Sequence, residues 1–167
     1  MPEKETMKRA EEDKRRGKAP STQAGEFVKE EMDHVREGKH GARSAKQAIA
    51  IGLSKARRAG VKLPPPKQGK TSQRTRQQAA RDSSKGASRS NKAPSATRSR
   101  AVSAALKREG HAAASHQALS RQAHASAKSR SAADRSQSAR KAAATKGAAG
   151  RKRAAQKAAA TRSRRAR

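Results

Sequence analysis

Only fourteen large apolar side chains are available to build a core in 167 residues, and half of them lie between Phe27 and Leu53. Three lie beyond Leu63: Val102, Leu106 and Leu119. The remaining apolar residues are 38 alanines. Burying a large aliphatic or aromatic side chain contributes roughly 1.5–3 kcal/mol. Ordering one residue costs about 1–2 kcal/mol of backbone entropy. On this balance residues 22–59 form the one folding unit, and the last hundred residues lack the material for a conventional core. High charge with few large apolar residues is also the signature of disorder.

Charge divides the chain in the same place. Residues 1–40 hold ten Lys/Arg and ten Asp/Glu, so the net charge of +30 falls entirely on residues 41–167. That stretch has three acids, Asp82, Glu109 and Asp134. A segment so basic calls for a polyanion, and phosphates neutralised by Lys and Arg release condensed counterions. Phe27 is the single aromatic residue, which argues against stacking platforms for single strands and against an RNA-recognition sheet. Duplex DNA is the expected partner ahead of RNA. Cysteine is absent, and the start Met-Pro-Glu-Lys-Glu has no apolar leader. No apolar run reaches membrane-span length, so a membrane is not expected as partner. Cytoplasm and nucleoid are the expected location.

Four regions follow. Residues 1–20 read as a solvated mixed-charge arm. Residues 21–63 read as a module of two short antiparallel helices. Its first helix is predicted over 23–37, capped by Ser21 or Thr22 and ended by Gly38. Ser44 and Gln47 form a capping box for the second helix, and Gly60 stands at its C′ position. Ala45, Ala48, Ile49, Gly52, Leu53, Ala56 and Ala59 share one arc of it. The shared apolar face of Phe27, Val35, Ile49 and Leu53 suggests a homodimer through the 22–59 helices. Residues 64–98 read as a disordered linker opened by Pro64-Pro65-Pro66. Residues 99–167 read as a basic, Ala-rich, low-complexity tail with transient helices. Ser131 and Asp134 form a second capping box, and Gly147 breaks the segment it opens. The fold class is therefore mostly α with extensive disorder.

Val28–Met32, Gly38, Lys39 and Ser44–Arg58 resemble a family of small basic bacterial proteins. They share a Lys-Gln-Ala-Ile-Ala-Ile-Gly-Leu-Ser-x-Ala-Arg core and are catalogued as a domain of unknown function. The resemblance covers roughly residues 25–63 and implies a bacterial origin and a helical module, with no activity attached. Lys55 stands where many members carry an acid. Separately, Lys141–Gly147 and Lys152–Ala160 are similar in composition to linker-histone tails and to Lys/Ala-rich arms of bacterial histone-like proteins. That similarity suggests compaction without sequence preference.

The candidate phosphate contacts are Arg43, Lys46, Lys55, Arg57 and Arg58 on the second helix. Arg140, Lys141, Lys146, Arg151, Lys152, Arg153, Lys157, Arg162, Arg164, Arg165 and Arg167 are their counterparts in the tail. Ala50 and Ser54 occupy the middle of the exposed face of the second helix, where a sequence reader needs Asn, Gln or Arg. The five histidines, His34, His40, His111, His116 and His124, do not fall three to a helical face, so no metal and no cofactor is expected. Ser115-His116 has no acid nearby to orient it. Thr145–Gly150 lacks the strand and the full spacing of a phosphate loop. Enzymatic chemistry is not expected.

The function read from these features is sequence-independent DNA binding and compaction by a histone-like, nucleoid-associated protein. An RNA-binding or ribosome-associated assembly protein is the alternative. A third reading is a protein-interaction module with a basic delivery arm.

Overall fold

Helices, not loops, carry most of the described residues. The computed structural model describes residues 2–88 and 95–165. Among them lie seven α-helices and one 3-10 turn, and no strand. The helices are α1 (Lys4–Arg15), α2 (Pro20–Arg36), α3 (Ala45–Arg58), α4 (Gln73–Ala87), α5 (Ala96–Lys107), α6 (His116–Lys128) and α7 (Ala132–Arg165), with the 3-10 turn at Ala112–Ala114. The expectation of extensive disorder is thereby overturned. The region expected as transient helices holds α5, α6 and α7, and the expected linker holds α4. The part of that linker at 89–94 lies outside the described residues.

Local chemistry sets the ends of α3 where the sequence places them. Ser44 Oγ accepts from the Gln47 amide at 3.2 Å. The Gln47 side chain reaches back to the Arg43 amide at 2.9 Å, one residue earlier than a strict capping box requires. At the other end Gly60 adopts φ 90°. Its amide donates to the Arg57 carbonyl, and the Val61 amide donates to the Ala56 carbonyl. These are the two bonds of a Schellman motif, and the left-handed backbone they need favours glycine. For α2 the sequence expectation misses the start. The helix begins at Pro20, after Ala19, with no side-chain cap. Pro20 supplies a pre-set φ at a position whose missing amide hydrogen costs nothing.

The α2–α3 pair is antiparallel, as the apolar contacts establish. Ala48, early in α3, clusters with Met32 and Val35 late in α2. Ala56, late in α3, clusters with Ala24 and Phe27 early in α2. The backbones come close at Gly52, where a Cβ would stand 2.7 Å from Val28 Cα. Two separate patches of core result. The first is completed by Ala42, Ala113, Ala114 and the half-buried Leu119. The second is completed by Ala10 of α1 and by Leu53, Val61 and Leu63.

The expected free arm is part of this assembly. Thr6, Ala10 and Asp13 of α1 are buried. Arg9 Nε bonds Glu26 Oε2 at 2.7 Å, and the Glu3 amide donates to Glu30 Oε2. Helix α4 docks on α3 through a polar clasp. Asp82, 1% exposed, accepts from Ser54 Oγ at 2.7 Å, Arg58 Nε at 2.8 Å and Gln78 Nε2 at 3.0 Å. Beside it Gly86 lets the two backbones meet, since a Cβ there would lie 2.0 Å from the Arg57 carbonyl oxygen. The 38–43 loop is tied down by the end of α5 and the residues after it: the Gly41 amide donates to the Leu106 carbonyl and the Ala42 amide to the Gly110 carbonyl. Alanines, the close glycine approaches at Gly41, Gly52 and Gly86 and a buried carboxylate thus supply what large apolar residues do not.

The chain divides into two units, Met1–Gln122 and Ala123–Arg167. The first contains everything above. In the second, α7 buries no residue. Ser131 Oγ caps it by accepting from the Asp134 amide at 3.0 Å. Gly147, at φ 64° and ψ 176°, interrupts its helical backbone, where the sequence places a break.

Candidate nucleic-acid interface

The basic candidates fall into two populations, separated by what the fold does with them. Of the five candidates on and just before α3, two turn inward. Lys55 extends toward α2, its Nζ 2.7 Å from Glu31 Oε2 and 3.3 Å from Glu30 Oε1. Arg57, 7% exposed, donates through Nε to the Leu63 carbonyl and through Nη2 to the Pro64 carbonyl, both at 3.3 Å. Burial lowers the basicity of its guanidinium. Neither side chain is presented to a phosphate. Arg58 is held at Nε by Asp82, although half of its side chain remains exposed. Arg43 and Lys46, at the start of α3, are exposed.

Helix α7 is different. Arg140, Lys141, Lys146, Arg151, Lys152, Arg153, Lys157, Arg162, Arg164 and Arg165 are all exposed. Arg167 lies outside the described residues. The helix carries eleven Lys/Arg against one acid, Asp134. At 3.6 residues per turn these cations fall on every side of it, with no apolar stripe between them. Arg151 Nη1 also donates to the Ala143 carbonyl at 2.8 Å, reaching across the break at Gly147. A long, solvated helix of one sign, with alanine between the charges, presents a strongly positive surface.

Most of the acids lie in residues 1–40, and several of them are engaged in ion pairs. Glu3 meets His34 Nε2 at 2.9 Å and Lys39 Nζ at 3.1 Å, and these hydrogen bonds, His34 first, hold its carboxyl below the usual range. Lys39 also reaches Glu37 at 3.0 Å. Asp33 is lowered by the hydrogen bond from Lys29. Of the apolar face expected to dimerise, Phe27 and Val35 are buried, while Ile49 and Leu53 are partly buried. Phe27 and Val35 are buried by the chain's own α1, α3 and 113–119 segment.

The fold brings together three residues that the sequence reading kept apart. Glu31, His34 and His40 place one ligand-type atom each within 4.8 Å of one another. The available signal was Glu31-Met-Asp-His34, an i,i+3 pair on one face of α2. Histidine spacing considered alone did not register it, because the third member comes from the loop.

Residues 4–68 match a family described as a family of unknown function (DUF6496). The matched stretch holds α1, α2, α3 and the three prolines, and agrees with the resemblance to a domain of unknown function. No curated protein and no solved structure matches the chain.

Proposed function

We propose that this chain binds nucleic-acid duplexes without sequence preference and compacts or bridges them by neutralising phosphate charge, as a histone-like nucleoid protein. The observation that carries the reading is α7. It exposes its Lys and Arg on every side of a helix that buries nothing. Cations on all sides can engage phosphates of more than one duplex. Such interactions go to the backbone, which carries no direct sequence information. The likeness of Lys141–Gly147 and Lys152–Ala160 to linker-histone tails supports the same reading. Duplex is favoured over single strand because Phe27, the only aromatic side chain, is buried in the core and cannot stack on a base.

The test is fluorescence anisotropy with nucleic-acid-free protein on three duplexes of equal length: random-sequence DNA, AT-rich DNA and RNA. The two DNAs should bind alike, with a log–log salt slope of about −0.9 per phosphate neutralised. A preference of about a thousandfold for one DNA sequence would place the protein among specific regulators and overturn the reading. Tighter binding to RNA than to either DNA would favour a ribosome-associated assembly role instead.

A further inference from the structure

Glu31 is the most fully enclosed charged side chain of the α2–α3 pair. It is 0% exposed, and neither carboxylate oxygen has a partner in hydrogen-bond geometry. Lys55 Nζ stands 2.7 Å from Oε2, close enough for an ion pair but off the angle of a hydrogen bond. The other oxygen, Oε1, faces His40 Nε2 at 3.4 Å. On the opposite edge of that imidazole, Nδ1 lies 3.1 Å from the Gly41 carbonyl oxygen. A carbonyl only accepts, so Nδ1 carries the proton and donates. In the neutral ring Nε2 is then a bare lone pair pointed at a bare carboxylate oxygen. Such a pair is satisfied either by a proton on Nε2 or by a cation held between its members.

We infer that Glu31, His34 and His40 form a binding site for a divalent transition-metal ion, with zinc the best match to the donors. Two imidazole nitrogens and one carboxylate oxygen are a donor set that zinc accepts, leaving a fourth position open. Donors on a tetrahedral zinc sphere of about 2.0–2.1 Å radius stand about 3.3 Å apart. The Glu31–His40 separation already has that value, and the whole triad fits within 4.8 Å. Glu31 and His34 come from one face of α2, while His40 comes from the loop beyond it. The supporting shell is in place as well. The Gly41 carbonyl fixes the ring of His40, and Glu3 Oε1, 2.9 Å from His34 Nε2, is a carboxylate partner that holds the ring of His34.

Local charge points the same way. The ionic network around the triad contains the carboxylates Glu3, Glu30, Glu31 and Glu37 and the ammonium groups Lys39 and Lys55. The imidazoles apart, this leaves two negative charges in excess, which one dication balances. His34 and His40 are 14% and 17% exposed at the side chain, so the ion has a route in. Its effect would be structural: it would clasp the 38–43 loop to α2 and fix the turn into α3.

The test uses the full chain freed of nucleic acid. Calorimetric titration with Zn2+ should show one tight equivalent. His34→Gln and His40→Gln should each weaken it by at least the roughly 100-fold that even a supporting partner can be worth, while His124→Gln leaves it unchanged. Equal Zn2+ affinity in wild type, His34→Gln and His40→Gln would overturn the inference. Wild-type protein titrated with Co2+ gives a readout that requires no variant. Intense visible absorption reports a four-coordinate ion held by the protein. The weak spectrum of the aquo ion would leave His40 as a protonated partner of Glu31, and no metal site.

Discussion

Asp82 is the residue on which the position of α4 turns. It is buried, it accepts from three side chains, and two of these, Ser54 and Arg58, belong to α3. Hydrogen bonds to a charged group contribute about 1.5–3 kcal/mol each in favourable cases, but Arg58 is half exposed and can hydrate if released. Asp82→Ala should therefore cost about 1–3 kcal/mol in total, read as a lower urea midpoint. An unchanged midpoint would mean that α4 contributes nothing to the cooperative unit. Gly52 offers a test of opposite expected sign from propensity. In an exposed helix interior Gly→Ala stabilises by about 1 kcal/mol. Here the new Cβ would stand 2.7 Å from Val28 Cα and 3.0 Å from the Phe27 carbonyl oxygen. Gly52→Ala should destabilise by about 1–3 kcal/mol through overpacking, and a rise in the thermal midpoint would show that α2 yields without cost.

Among the elements, α3 was the one most legible from the sequence, because its signals are local. Ser44, Gln47 and Gly60 act on backbone groups a few residues away, and the alanine arc repeats at helical spacing. The Ser131 cap and the Gly147 break were legible for the same reason. The docking of α1 and α4 was not. Those helices bury Thr6, Ala10, Asp13, Ala79 and Asp82, small or polar residues whose burial depends on a partner far away in sequence. The inward turn of Lys55 and Arg57 was hidden likewise, since a helical wheel does not reveal that Glu30, Glu31 and the Leu63 and Pro64 carbonyls lie across from them. The triad of Glu31, His34 and His40 was half legible, its i,i+3 pair on α2 being local and its loop member not. For α7 the decisive change is truncation. A stop after Gly147 removes Arg151, Lys152, Arg153, Lys157, Arg162, Arg164, Arg165 and Arg167. α7 buries no residue, so the stability read from the urea midpoint should stay within about 0.5 kcal/mol of full length. The salt slope for duplex DNA should flatten by several units, at about 0.9 for each phosphate no longer neutralised. A large loss of stability with an unchanged slope would reverse these roles.

In the molecule as a whole the charges are sorted by task. Acids are concentrated in residues 1–40, where α1 and α2 use them for ion pairs among themselves and with α3. The excess of +30 lies in the remainder. Net charge of this size would strain a compact body by self-repulsion if it were spread evenly. Helix α7 carries eleven of the 33 Lys/Arg beyond residue 40, and because it buries no residue that share of the repulsion stays out of the core. A polyanion should therefore bind strongly without greatly raising the unfolding temperature of the α1–α4 assembly. Differential scanning calorimetry with and without duplex DNA checks this. A large upward shift of the main transition would show that the folded assembly, and not α7, does most of the binding.

The inward turn of Lys55 and Arg57 has a consequence for how the protein behaves in the laboratory. Mobile ions compete well for charges in water and poorly for charges shut away from it. Concentrated salt should thus strip bound nucleic acid while the helices persist, so circular dichroism in about 1 M NaCl should match that at low ionic strength. The molecule would let go of its ligand long before it lost its shape.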